Sequence, residues 1–189
     1  MDAPILAGWE NFYVLVGTTA GGLTGITFVV IALVQEAMHG ARPAGLGAFV
    51  TPTIVHFGGV LALAAFLSMP HQHLIGLSAG FAVAGISGVF YGGTIARNMR
   101  RAGAGGQYVP VLEDWLWNVI LPTLVYGSLG VMAVLIWRWP EQTMYGVATL
   151  SVAMLFIGIR NSWDIAVWMT TTHGPRESDS SKESPSPKP

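Results

Sequence analysis

Long apolar stretches separated by short polar clusters fill most of this chain. Five of them are long enough for a hydrocarbon core that needs about 20 helical residues. The pattern predicts membrane helices over roughly Phe12–Gln35, Ala48–Met69, Leu74–Ala96, Trp115–Trp137 and Thr143–Met169. The breaks carry turn chemistry: Pro43 lies within Gly40 to Gly45, Pro70 follows the second stretch, and Pro140 separates the last two. From Gly174 the chain reads GPRESDSSKESPSPKP, too polar and too rich in Pro and Ser to bury a core, so residues 174–189 are expected to be a disordered tail. The expected fold class is all-α, an integral membrane bundle of five transmembrane helices within residues 1–173.

Basic residues orient such a bundle, because loops rich in Lys and Arg stay on the cytoplasmic side. Arg42, the group Arg97, Arg100 and Arg101, and the tail cations Arg176, Lys182 and Lys188 all fall on one side of a five-span topology. Only Arg138 falls on the other. The expectation is an N-terminus outside and a C-terminus in the cytoplasm. Tryptophans sort the same way, since the indole ring prefers the headgroup level. Trp9, Trp137 and Trp139 fall at predicted outer ends, and Trp115, Trp117, Trp163 and Trp168 at predicted inner ends.

Composition agrees with the pattern. Of 189 residues, 52% are hydrophobic and 10% charged, against about 25% charged in a typical soluble domain. A formal net charge of -1 argues against a broad nucleic-acid surface. The chain has no cysteine, which removes disulfides and thiolate metal sites. The start MDAPILAGWE lacks the basic segment of a signal peptide.

Lipid gives helices no hydrophobic reason to associate, so close backbone approach must supply the attraction. Gly76, Gly80, Ala84, Gly88, Gly92 and Ala96 recur every four residues and share one face of the third span. Gly17, Gly21 and Gly25 do the same in the first. These ridges serve either packing within the chain or a subunit interface. Pro52 and Pro122 each remove a backbone N–H inside a span, and such kinked helices can line a cavity or merely be tolerated.

A few polar groups stand out against this background. Arg160 and Asp164 are four apart on one helix face, with Asn161 beside them and Trp168 continuing the row. They form either an interfacial ion pair that sets the depth of the fifth helix or the charged lining of an inner vestibule. His56 is the one histidine well inside a span, held structurally by one partner or acting as a proton-responsive group. It has no second histidine at similar depth for a haem. Asn118 lies near the inner end of the fourth span, and Gln35, Glu36, Glu113 and Asp114 read as polar or solvated ends there. His71 and His73 in PHQH are two ligands at most, so no metal or other cofactor is expected. No nucleophile elbow, HExxH or Walker loop is present, and no enzyme is expected.

FYVLVGTTAGGLTGITFVV, FVTPTIVHF and RNSWDIAVW together resemble a group of small uncharacterised bacterial multi-pass inner-membrane proteins. The resemblance covers the first two spans and the fifth, through Gly17, Gly21, Gly22, Gly25, Pro52, His56, Arg160, Asn161, Trp163 and Asp164. It implies a bacterial inner-membrane location and no particular activity. Two functions are expected to compete. One is an oligomeric channel or transporter-like protein for a small ion or solute, with His56, Asn118, Arg160, Asn161 and Asp164 lining its inner half. The other is a non-catalytic membrane subunit or scaffold packing against partner helices.

Overall fold

The computed structural model describes residues 5–37, 46–104 and 111–172. Arg42, Pro43 and the tail with its three cations lie outside the described residues, as do the side chains of Gln35, Glu36 and Trp168.

All regular structure among the described residues is helical. We label the helices α1 (Glu10–Ala37), α2 (Leu46–Leu67), α3 (Leu74–Ala104), α4 (Leu112–Leu135) and α5 (Pro140–Thr172). Four of the five, all but α2, are long and apolar enough to cross a membrane. The apolar segment within α2, Thr51–Leu67, is shorter. The third helix runs eight residues past its expected end at Ala96, to Ala104, and so carries Arg97, Arg100 and Arg101 on its final turns. A charged sequence need not stop a helix. It only stops the apolar run, and Arg is a good helix former.

Successive helices run antiparallel, which gives the bundle two ends. At one, Trp9 packs on Phe12, Tyr13 and Tyr145, with ring centroids 5.7, 6.1 and 4.9 Å away. Trp137 and Trp139 lie at the same end, with Arg138 stacked over Trp139 at 5.7 Å. At the other end, Arg100 stacks over Trp115 at 5.7 Å and Arg160 over Trp117 at 5.6 Å. The connection between α2 and α3 is a tight turn: His71 takes a left-handed conformation (φ 57) and the Gln72 amide donates to the Phe66 carbonyl at 2.8 Å. His71 therefore serves the turn, a conformation that His adopts more readily than most residues.

Packing is closest between α3 and α4. A Cβ placed on Gly85 would come within 2.6 Å of the Gly130 backbone nitrogen, so only glycine lets these two backbones meet. Nearer the Trp9 end the same helices are tied by a relay. Trp137 Nε1 donates to Ser78 Oγ at 3.1 Å, and Ser78 Oγ donates to the Ala133 carbonyl at 2.7 Å. The third-span ridge has several partners. Gly80 receives the Phe66 ring of α2, while Gly88 and Gly92 receive Tyr126 and Thr123 of α4. In α1, Gly17 faces Ala64 and Gly21 faces Leu61, whereas Gly25 faces open space. Fully buried Phe57, Phe81, Leu77, Ile136 and Val147 form the shared core.

Candidate functional site

Many hydroxyls of the apolar helices are satisfied by their own helix. Thr19, Thr24, Thr27, Thr143, Thr149 and Ser151 each donate to the carbonyl four residues back, at 2.7 to 2.9 Å. This is the usual way for a Ser or Thr to be tolerated in an apolar helix. Polar groups that do not take this route are therefore informative, because an unpaired buried polar atom costs on the order of 1–3 kcal/mol.

His56 is one such group. It lies on α2 and is 1% exposed. Its Nδ1 is 3.4 Å from the Tyr126 hydroxyl on α4, a long hydrogen-bond distance. Its ring also meets Tyr91 of α3 edge-on at 6.3 Å. Two glycines make this reach possible. The Tyr126 ring lies against Gly88, and its hydroxyl would sit 2.9 Å from a Cβ on Gly59. With the Tyr126 O–H donating to Nδ1, a neutral imidazole carries its proton on Nε2. Nε2 is buried and has no hydrogen-bond partner.

Thr123 stands one turn before Tyr126 on α4. Its hydroxyl faces Gly92 of α3, is buried, and likewise has no partner. Pro122 beside it explains a distortion in α4. Residues Leu116–Ile120 form a π-helical turn, and the Leu121 N–H reaches back to the Leu116 carbonyl. The Trp117 carbonyl thereby loses its α-helical donor, Leu121, and its π-helical donor would be Pro122, which has no N–H. Asn161 of α5 takes the position, with Nδ2 3.5 Å from the Trp117 carbonyl oxygen. Asn161 is buried, and its Oδ1 is unpartnered, as is the hydroxyl of its neighbour Ser162.

Of the residues singled out in the sequence, these contacts place His56 and Asn161 against α4 from opposite neighbours, α2 and α5. Asn118 is buried and turns back on its own helix, donating to the Asp114 carbonyl at 3.1 Å. Arg160 and Asp164 form an ion pair within α5. Arg160 also bonds Glu113 of α4 at 2.7 Å. Glu113 was expected to be a solvated end charge; it is instead the partner that ties α5 to the start of α4. Both groups of this pair are partly exposed, so it contributes ~0–1 kcal/mol. Arg160 thus belongs to a superficial ionic cluster at the Arg97 end, and His56 to a separate buried grouping. Pro52 is buried inside α2, which runs unbroken through it. Among the described residues no three His, Asp or Glu side chains come together as metal ligands.

Sequence reasoning missed Tyr126, Tyr91 and the Gly85–Gly130 contact, and noted Thr123 only as the residue after Pro122. Tyr91 and Tyr126 carried a usable signal. A tyrosine at a bilayer interface keeps its hydroxyl wet, but both of these fall well inside apolar stretches, where the hydroxyl must find a partner.

No protein-family model, no curated protein and no solved structure matches this chain.

Proposed function

We propose that this chain is a five-span membrane protein of a bacterial inner membrane, oligomeric and channel- or transporter-like, that passes a small ion or solute through the inner half of its bundle. The observation that carries this reading is an asymmetry in unpartnered buried polar atoms. His56 Nε2, Thr123 Oγ1, Asn161 Oδ1 and Ser162 Oγ lie from the bundle's middle to its Arg97 end. In the half nearer Trp9 the Tyr13 hydroxyl alone, among the described residues, is in the same condition. Polar atoms of this kind suit a route that exchanges hydrogen bonds with water or a hydrated ion. The asymmetry of Arg97, Arg100 and Arg101 against Arg138 supports placing that half toward the cytoplasm. The ionic cluster of Arg160, Glu113 and Asp164 stands at the mouth of the same half.

Flux of protons, potassium and chloride into proteoliposomes tests the proposal. Wild-type protein is expected to carry one of the three, and His56→Ala and Arg160→Ala to change its rate about tenfold, the equivalent of about 1.4 kcal/mol in a barrier. Unaltered flux in both variants, or no flux in wild type, removes the reading.

The scaffold reading is favoured by a different observation. One face of α1 packs on α2, while Gly22 and Gly25 meet nothing and Ile26, Phe28, Val29 and Leu33 are exposed. A stoichiometric heterologous partner in native mass spectrometry after mild-detergent purification favours the scaffold. A clean homo-oligomer favours the channel.

A further inference from the structure

A groove of about 390 Å³ runs along the outside of the α3–α4 seam. Gly85, Gly93, Gly127 and Gly130 line it together with Tyr126, and Arg97 closes it at one end. From Gly85 to Arg97 is twelve residues of helix, about 18 Å at 1.5 Å each. One leaflet of a hydrocarbon core of roughly 30 Å is about 15 Å deep. The apolar channel therefore starts near the bilayer midplane and ends on a guanidinium at headgroup level. Arg97 is exposed and makes no ion pair among the described residues, unlike Arg160. Arg100 and Arg101 follow it on the same helix end.

We propose that this groove is a binding site for an anionic phospholipid of the Arg97-side leaflet. One acyl chain lies along the glycine-lined groove and the headgroup phosphate sits at Arg97. A groove that is apolar along its length and cationic only at its end fits that amphiphile. A partner helix would have to bring an acidic group to Arg97 as well as an apolar face to the groove. Gly93 and Gly127 matter because a side chain at either would occupy the acyl path. At Gly93 and Gly127 an added Cβ meets nothing within 4 Å, so these positions are open toward the groove and not wedged into the fold. The site is independent of whether the bundle conducts.

Native mass spectrometry of the full chain tests this, with phosphatidylglycerol and phosphatidylcholine of identical acyl chains titrated in separately. Wild type is expected to retain phosphatidylglycerol preferentially, by about fivefold or more for a single Arg at the surface. Arg97→Gln is expected to abolish the preference while leaving weak binding of both lipids. At Gly127 an added Cβ meets nothing, so Gly127→Leu is expected to project into the groove and to lower binding of both. Circular dichroism and elution volume confirm that each variant remains folded. Equal retention of the two lipids by wild type overturns the proposal, and so does an undiminished preference in Arg97→Gln or undiminished binding of both lipids in Gly127→Leu. Loss of a dimer in Gly127→Leu with lipid binding unchanged overturns it in favour of a second copy of this chain.

Discussion

The α3–α4 seam and the outer face of α1 carry the same sequence device and use it differently. Both place glycines four residues apart in an apolar helix. In the seam, Gly85 lets backbone touch backbone, and Gly88 and Gly92 admit Tyr126 and Thr123. On α1, Gly17 and Gly21 face α2, and then the row runs out into open space at Gly25, with Gly22 beside it. Glycine spacing thus shows where a close approach is permitted. What approaches is decided by the other helix, and in α3 that is what brings Tyr126 across to His56.

Gly85→Leu is expected to have the largest effect, because the obstructing atoms belong to the Gly130 backbone and cannot rotate away. Overpacking of this kind costs about 1–3 kcal/mol or more, read as a lowered midpoint of thermal unfolding in detergent. An unchanged midpoint would mean that the seam is not close-packed. Gly88→Ala comes next. The new methyl meets the Tyr126 ring, and ring displacement is expected to cost ~1–2 kcal/mol and to alter flux as His56→Ala does. Arg160→Gln removes the partly exposed ion pairs to Glu113 and Asp164 and should cost about 1 kcal/mol, an effect that shrinks in high salt. Smallest are Gly22→Leu and Gly25→Leu, where the midpoint should hold within about 0.5 kcal/mol or rise, since glycine is a poor helix former. A lost heterologous partner in these two variants would turn the α1 face from a lipid surface into an interface.

Much of this architecture is visible in the chain itself. Apolar runs of sufficient length demand helices, because only a helix satisfies every backbone group of a lone segment in lipid. The local row Arg160–Asp164 was legible for the same reason that any pair four apart is: one helix geometry sets it. Contacts across the bundle were not. Tyr126 lies 70 residues from His56, and Glu113 lies 47 from Arg160. Such pairings depend on which helix faces which, and glycine ridges leave that open. The π turn at Leu116–Ile120 was half legible. Pro122 announces a missing N–H, whose acceptor in a regular α-helix would be the Asn118 carbonyl. The register shift moved the consequence to Trp117, where Asn161 donates. The expected tail and first loop lie outside the described residues and add nothing to the comparison.

The chain contains no cysteine, so a single engineered thiol can report the polarity of its surroundings. Thr123 and Ser151 make the matched pair. Both hydroxyls lie inside the bundle, but Ser151 donates to the Val147 carbonyl at 2.9 Å and Thr123 has no partner. Each is replaced by cysteine in separate proteins, reconstituted in vesicles, and treated with a membrane-impermeant thiol reagent from the Arg97 side. A water-accessible inner half requires Thr123→Cys to react and Ser151→Cys to stay protected. Protection of both, or equal labelling of both, would contradict it.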